Sequence, residues 1–139
     1  MSVEENKACV RGYIQEALNE GHMEVLDECL SKDWTYLGPF GEFKGPEGFR
    51  QMFAPMKVAF PDLHYTIGDM AGEEDKLFAK FTMTGTFKGE FMGNPPNGNT
   101  FEMSGVYFYR FKDGKETEAT PFIDTLSLYQ QLGIKPPGQ

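Results

Sequence analysis

Three observations predict an α+β fold in which helices pack on one side of a curved, mostly antiparallel sheet. Apolar residues recur at helical spacing as far as Phe60, and from Pro61 onward the period changes to two. The two kinds of element are segregated along the chain and do not alternate. The length of 139 residues suits one domain, residues 1–139. A chain of that size buries roughly two-thirds of its unfolded surface, enough for one core.

The first helix is read over residues 4–21. Val10, Tyr13, Ile14, Ala17 and Leu18 share one face, Ser2 is placed to cap it, and Gly21 ends it. The second helix is read over residues 22–34, with Met23, Leu26, Cys29 and Leu30 on its inner side. A strand and turn rich in Gly and aromatics follow. The third helix starts near Pro46, a residue favoured at helix N-termini. Phe49, Met52, Phe53, Met56 and Phe60 form its apolar stripe, and Pro55 is expected to kink or shorten it.

Leu63, Tyr65 and Ile67 then alternate against His64, Thr66 and Gly68 in the first long strand. Leu77, Ala79, Phe81 and Met83 alternate against Phe78, Lys80, Thr82 and Thr84 in the next. The strand over residues 100–111 is apolar on both faces, and Gly105 in its middle is expected to mark a bulge. Asp113 and Gly114 form a hairpin turn into the last strand, residues 116–123. A helical turn closes the chain. Six strands and three helices are expected.

The net charge of −8 argues against nucleic acid and against an anionic membrane surface, since both need clustered Lys and Arg. The N-terminus has no signal-peptide pattern, and nothing approaches the ~20 apolar residues of a membrane helix. A cytoplasmic location is expected. Cys9 and Cys29 read as small buried apolar residues in a reducing compartment. His22 and His64 have no ligand-like spacing, so no metal site is expected. The two-faced apolar strand needs cover on its outer side, and a homodimer packed sheet to sheet provides it.

Asp124, between Ile123 and the closing helix, is the candidate acid/base. A carboxylate beside apolar walls becomes harder to ionise and gains proton-transfer ability. The competing reading is a helix N-cap, for which Asp is a preferred residue. The candidate ligand contacts are Tyr13, Trp34, Tyr36, Phe53, Met83, Ser104 and Phe108, with Tyr107 beside them. Buried Tyr and Trp need a hydrogen-bond partner, which suits a pocket wall.

Several stretches together resemble the SnoaL-like polyketide (ester) cyclases of the nuclear-transport-factor-two-like fold. They are NEGHMEVLDECLSKD, GPEGFRQMF, AFPDLHYTIGDM, GTFKGEFMGNPPNG, YRFKDGK and IDTLSLYQQLG. The resemblance covers nearly the whole chain. It implies a cone with an internal pocket and a lyase- or isomerase-type ring closure by aldol condensation, without metal or cofactor, on a small apolar molecule. It also implies that Asp124 is the general acid/base. Pro121 stands where many members carry another acid, Ala119 and Thr120 where many carry His and Trp, and Phe87 at a frequent His. Two alternatives remain: a non-catalytic pocket protein for a hydrophobic ligand, and a related epoxide hydrolase using a paired acid and Arg.

Overall fold

The computed structural model describes residues 2–136. Helix α1 (Val3–Tyr13) begins with a capping box. Ser2 Oγ accepts from the Glu5 N–H at 3.1 Å, and the Glu5 carboxylate reaches back to the Ser2 N–H. The helix then widens into a π-helical segment, Ile14–Asn19. That segment delivers Asn19 to the start of the sheet. Its amide donates to Tyr65 O and accepts from Tyr65 N, both at 2.8 Å, as a neighbouring strand would.

A 3-10 turn, Met23–Val25, leads to the short α2 (Leu26–Cys29). The expected second helix therefore stops five residues before Trp34. Strand β1 (Leu30–Gly38) takes over because it has partners on both sides. It pairs antiparallel with β2 (Gly41–Lys44) and parallel with the last strand, and Trp34 and Tyr36 alternate inward from it. Helix α3 (Gly45–Ala59) runs through Pro55, which lies on its exposed side, so the proline neither ends nor shortens it there.

Strands β3 (His64–Glu73), β4 (Lys76–Thr86), β5 (Thr100–Lys112) and β6 (Lys115–Ile123) form the antiparallel meander. The sheet order is β2-β1-β6-β5-β4-β3. Gly105 is not a bulge. It pairs regularly with Phe81 and Ile123, and a Cβ there would meet Ile123 Cγ2 at 2.6 Å and Phe122 O at 2.7 Å. Register shifts fall instead between Ile67 and Met70 and between Arg110 and Phe111. The closing turn is a fourth helix, α4 (Thr125–Leu132). Asn97 Nδ2 donates to Leu132 O at 2.8 Å and Asn99 Nδ2 to Gln131 O at 3.3 Å. The long β4–β5 loop thus satisfies carbonyls that the helix end leaves unpaired.

The concave face of the sheet carries Leu77, Ala79, Phe81 and Met83, all buried against α1, the π segment and α3. One end is plugged by Phe60, Phe87, Phe91 and Phe101, with ring centroids 4.9–5.9 Å from Phe60. The convex face keeps Phe78, Val106 and Phe122 exposed, Phe122 by 62%.

Candidate functional site

Glu116 is the only buried carboxyl group among the described residues. It occupies the inward side of β6, paired with Leu30 of β1. Trp34 Nε1 donates to its Oε2 at 2.8 Å, and the Tyr13 hydroxyl lies 3.0 Å from its Oε1. Three elements distant in sequence, α1, β1 and β6, therefore converge on one carboxyl. Burial pushes its pKa up from 4.5 to about 8, although the Trp34 and Tyr13 hydrogen bonds pull the other way. Desolvation outweighs two hydrogen bonds because no cation pairs with the charge.

The protonation state of Glu116 sets which way Tyr13 points. An ionised carboxylate accepts from Tyr13. A protonated one donates to the Tyr13 oxygen and frees the Tyr13 hydrogen for another acceptor. The neighbouring Tyr109 hydroxyl is buried without a hydrogen-bond partner, and it is close enough to perturb Tyr13. Burial, with the nearby Glu116 charge, raises the pKa of both tyrosines. They are neutral hydroxyls.

Tyr13, Trp34 and Tyr109 face a chamber of about 20 Å³, closed on its other sides chiefly by Phe49, Phe53 and Ala119. A second chamber of about 30 Å³ adjoins it across Tyr36, Met52, Phe53, Tyr65 and Tyr107, and is lined further by Met56, Met83 and Met103. Each holds one or two waters at most, well below the ~300 Å³ of a typical ligand pocket. A wider vestibule of about 380 Å³ opens between the π segment and α3 and meets the first chamber at Leu18 and Phe53. Phe53 lines all three spaces, so vestibule and chambers share a wall at that side chain.

The family profile of the SnoaL-like polyketide cyclases matches residues 8–132. The chain belongs to this family. Its fold superposes on a protein from Jannaschia sp. CCS1 assigned as a SnoaL-like polyketide cyclase, with a TM-score of 0.87, 22% identity and 98% of each chain covered. AclR from Streptomyces galilaeus, assigned as a hydroxylase, is 29% identical over 97% of this chain and 100% of its own, with a TM-score of 0.83. IdmH from Streptomyces antibioticus, assigned as a polyketide cyclase, is 27% identical over 93% and 99%, with a TM-score of 0.80. The search of curated proteins returned no match.

In this SnoaL-like chain the expected contacts divide between the chambers and the convex face of the sheet. Tyr13, Trp34, Tyr36, Phe53 and Met83 line the chambers, as does Tyr107. Ser104 and Phe108 do not. Both lie on the convex face, where Ser104 Oγ is 3.1 Å from Thr82 Oγ1 and Phe108 stacks on Phe78 at 4.9 Å beneath Arg110. Strand parity sends 104, 106 and 108 outward when 107 and 109 point in. Asp124 is exposed and caps α4, with its Oδ1 accepting from the Ser127 N–H at 3.0 Å. It lines neither chamber.

Glu116 escapes sequence reasoning because the register shift opposite Arg110–Phe111 breaks strand parity. Glu116, Ala119 and Pro121 are all buried, a spacing that strict alternation forbids. The stretch KETEAT then reads as a solvated strand end. The one available signal was the chain's single tryptophan, whose N–H needs a buried acceptor. Among the described residues no group of three or more His, Cys, Asp or Glu could hold a metal, and no helix is long and apolar enough to cross a membrane.

Proposed function

We propose that this SnoaL-like protein performs acid/base chemistry without a cofactor, of the ring-closing aldol or isomerising kind, on a small apolar carbonyl compound that enters by the vestibule and displaces Phe53 to reach the chambers. The observation that carries the reading is the buried Glu116 carboxyl in contact with the chamber-lining Tyr13, at a pKa of about 8. A general acid/base works best when its pKa lies near the operating pH. In its ionised form Glu116 takes the Tyr13 proton while Tyr13 Oη takes the proton from the carbon next to the carbonyl. The reverse relay protonates the oxygen of the product. The Tyr109 hydroxyl, which lacks a protein partner, is placed to donate to the enolate oxygen. Asp124 remains the residue that resemblance nominates, but its capping bond and exposure favour the Glu116–Tyr13 pair.

The test is turnover of aromatic, polyketide-like ketones by Tyr13→Phe. The variant keeps the ring and its edge contact with Phe49 but lacks the hydroxyl. We expect kcat to fall by ~10²-fold or more, with apolar ligand binding retained. Unchanged kcat removes Tyr13 from the chemistry. Binding without turnover in the parent protein would support the second reading, a carrier of hydrophobic ligands. An epoxide hydrolase reading has less support, because none of Arg11, Arg50 and Arg110 lines the two chambers, and Arg50, which lines the vestibule, is paired with Asp27 at 3.0 Å. Phe78, Val106, Phe108 and Phe122 on the convex face support a homodimer through that surface.

A further inference from the structure

Cys9 and Cys29 come from different helices and meet beneath the polar site. Cys9 stands one turn before Tyr13 on α1, and Cys29 ends α2 immediately before Leu30, the β1 partner of Glu116. The Cys29 Sγ donates to the carbonyl oxygen of Cys9 at 3.9 Å, which brings the two cysteines together. Both are free and only partly buried, not the sealed core residues expected from sequence. A small reagent can reach them.

We propose that Cys9 and Cys29 form a thiol–disulfide exchange site that reacts with low-molecular-weight disulfides and closes to a bond joining α1 to the α2–β1 corner. The pair is asymmetric. Each thiol shifts the other, which holds Cys29 below and Cys9 above the usual thiol range. The Lys115 ammonium, anchored on Asp27 O at 3.0 Å, favours negative charge at both sulfurs. Glu28 and Glu16 oppose it at Cys29, and Glu116 opposes it at Cys9. Cys29 is therefore the attacking group and Cys9 the resolving one. The Cys29 thiolate attacks one sulfur of the reagent, forming a mixed disulfide and expelling one thiolate. Cys9 then loses its proton and attacks Cys29 Sγ, expelling the second thiol. Two electrons and two protons pass from the cysteines to the reagent.

The experiment treats the folded chain with oxidised glutathione and follows free thiols and intact mass. We expect both thiols to disappear with loss of two hydrogens and no retained glutathione, and a peptide map in which Cys9 and Cys29 are linked. Cys9→Ser should stop at a glutathione adduct on Cys29, and Cys29→Ser should react ~10-fold more slowly or worse. Separate adducts on the two cysteines of the parent chain, or thiols that react only after denaturation, would overturn the proposal. The readout is independent of turnover, so it stands or falls apart from the acid/base reading.

Discussion

Replacing Glu116 with Gln keeps the shape of the side chain and removes its charge. Gln can still accept from Trp34 Nε1 and donate to the Tyr13 oxygen, as the protonated acid does. The folded-state pKa of Glu116 is raised from 4.5 to about 8. Between those values the folded chain holds a proton that the unfolded chain has released, so stability falls as pH rises. The loss is absent below pH 4.5 and complete above about 8. At about 1.4 kcal/mol for each tenfold in proton affinity it reaches about 5 kcal/mol, with about 3 kcal/mol already present at pH 7. Urea unfolding of both proteins at several pH values measures it, and Trp34, the only tryptophan, reports from 2.8 Å away. We expect near-equal stability at pH 5 and Glu116→Gln ahead by about 3–4 kcal/mol at pH 8. Parallel curves for the two proteins across this window would refute the assignment of a buried, proton-holding acid.

Three further outcomes follow from the geometry. Asp124→Ala should cost about 1 kcal/mol in unfolding free energy by removing the α4 cap, and should leave apolar ligand binding unchanged in a fluorescence titration. Gly105→Ala places a methyl group 2.6 Å from Ile123 Cγ2, so a loss of about 1–3 kcal/mol is expected in the same urea assay. Phe122→Asp should turn a homodimer into a monomer in sedimentation velocity; an unchanged sedimentation coefficient for a dimeric parent would place the interface elsewhere.

Sequence periodicity located the meander and α3 well, because strict alternation and an apolar stripe each have one satisfactory packing. The second helix was overextended because residues 23–30 alone fit helical spacing, whereas β1 is held by neighbours that lie far away in the chain. Much of the chamber wall was legible: Tyr13, Trp34, Tyr36, Phe53 and Met83 are bulky residues on inward faces. Ser104 and Phe108 were misplaced where a two-faced strand gives no inward bias. Glu116 was illegible because one register shift turns it inward, and only its distant partners Tyr13 and Trp34 make that tolerable.

The parallel contact of β1 with β6 joins residues near 35 to residues near 118. Closing so long a loop is slow and unfavourable until the intervening strands are in place. Water is therefore excluded from Glu116 only when the two ends of the chain meet. A nascent chain still lacking β6 has the tyrosine and the tryptophan but no acid between them. The site is a product of completed folding, and β1 and β6 have to stay paired to hold the acid between its two partners.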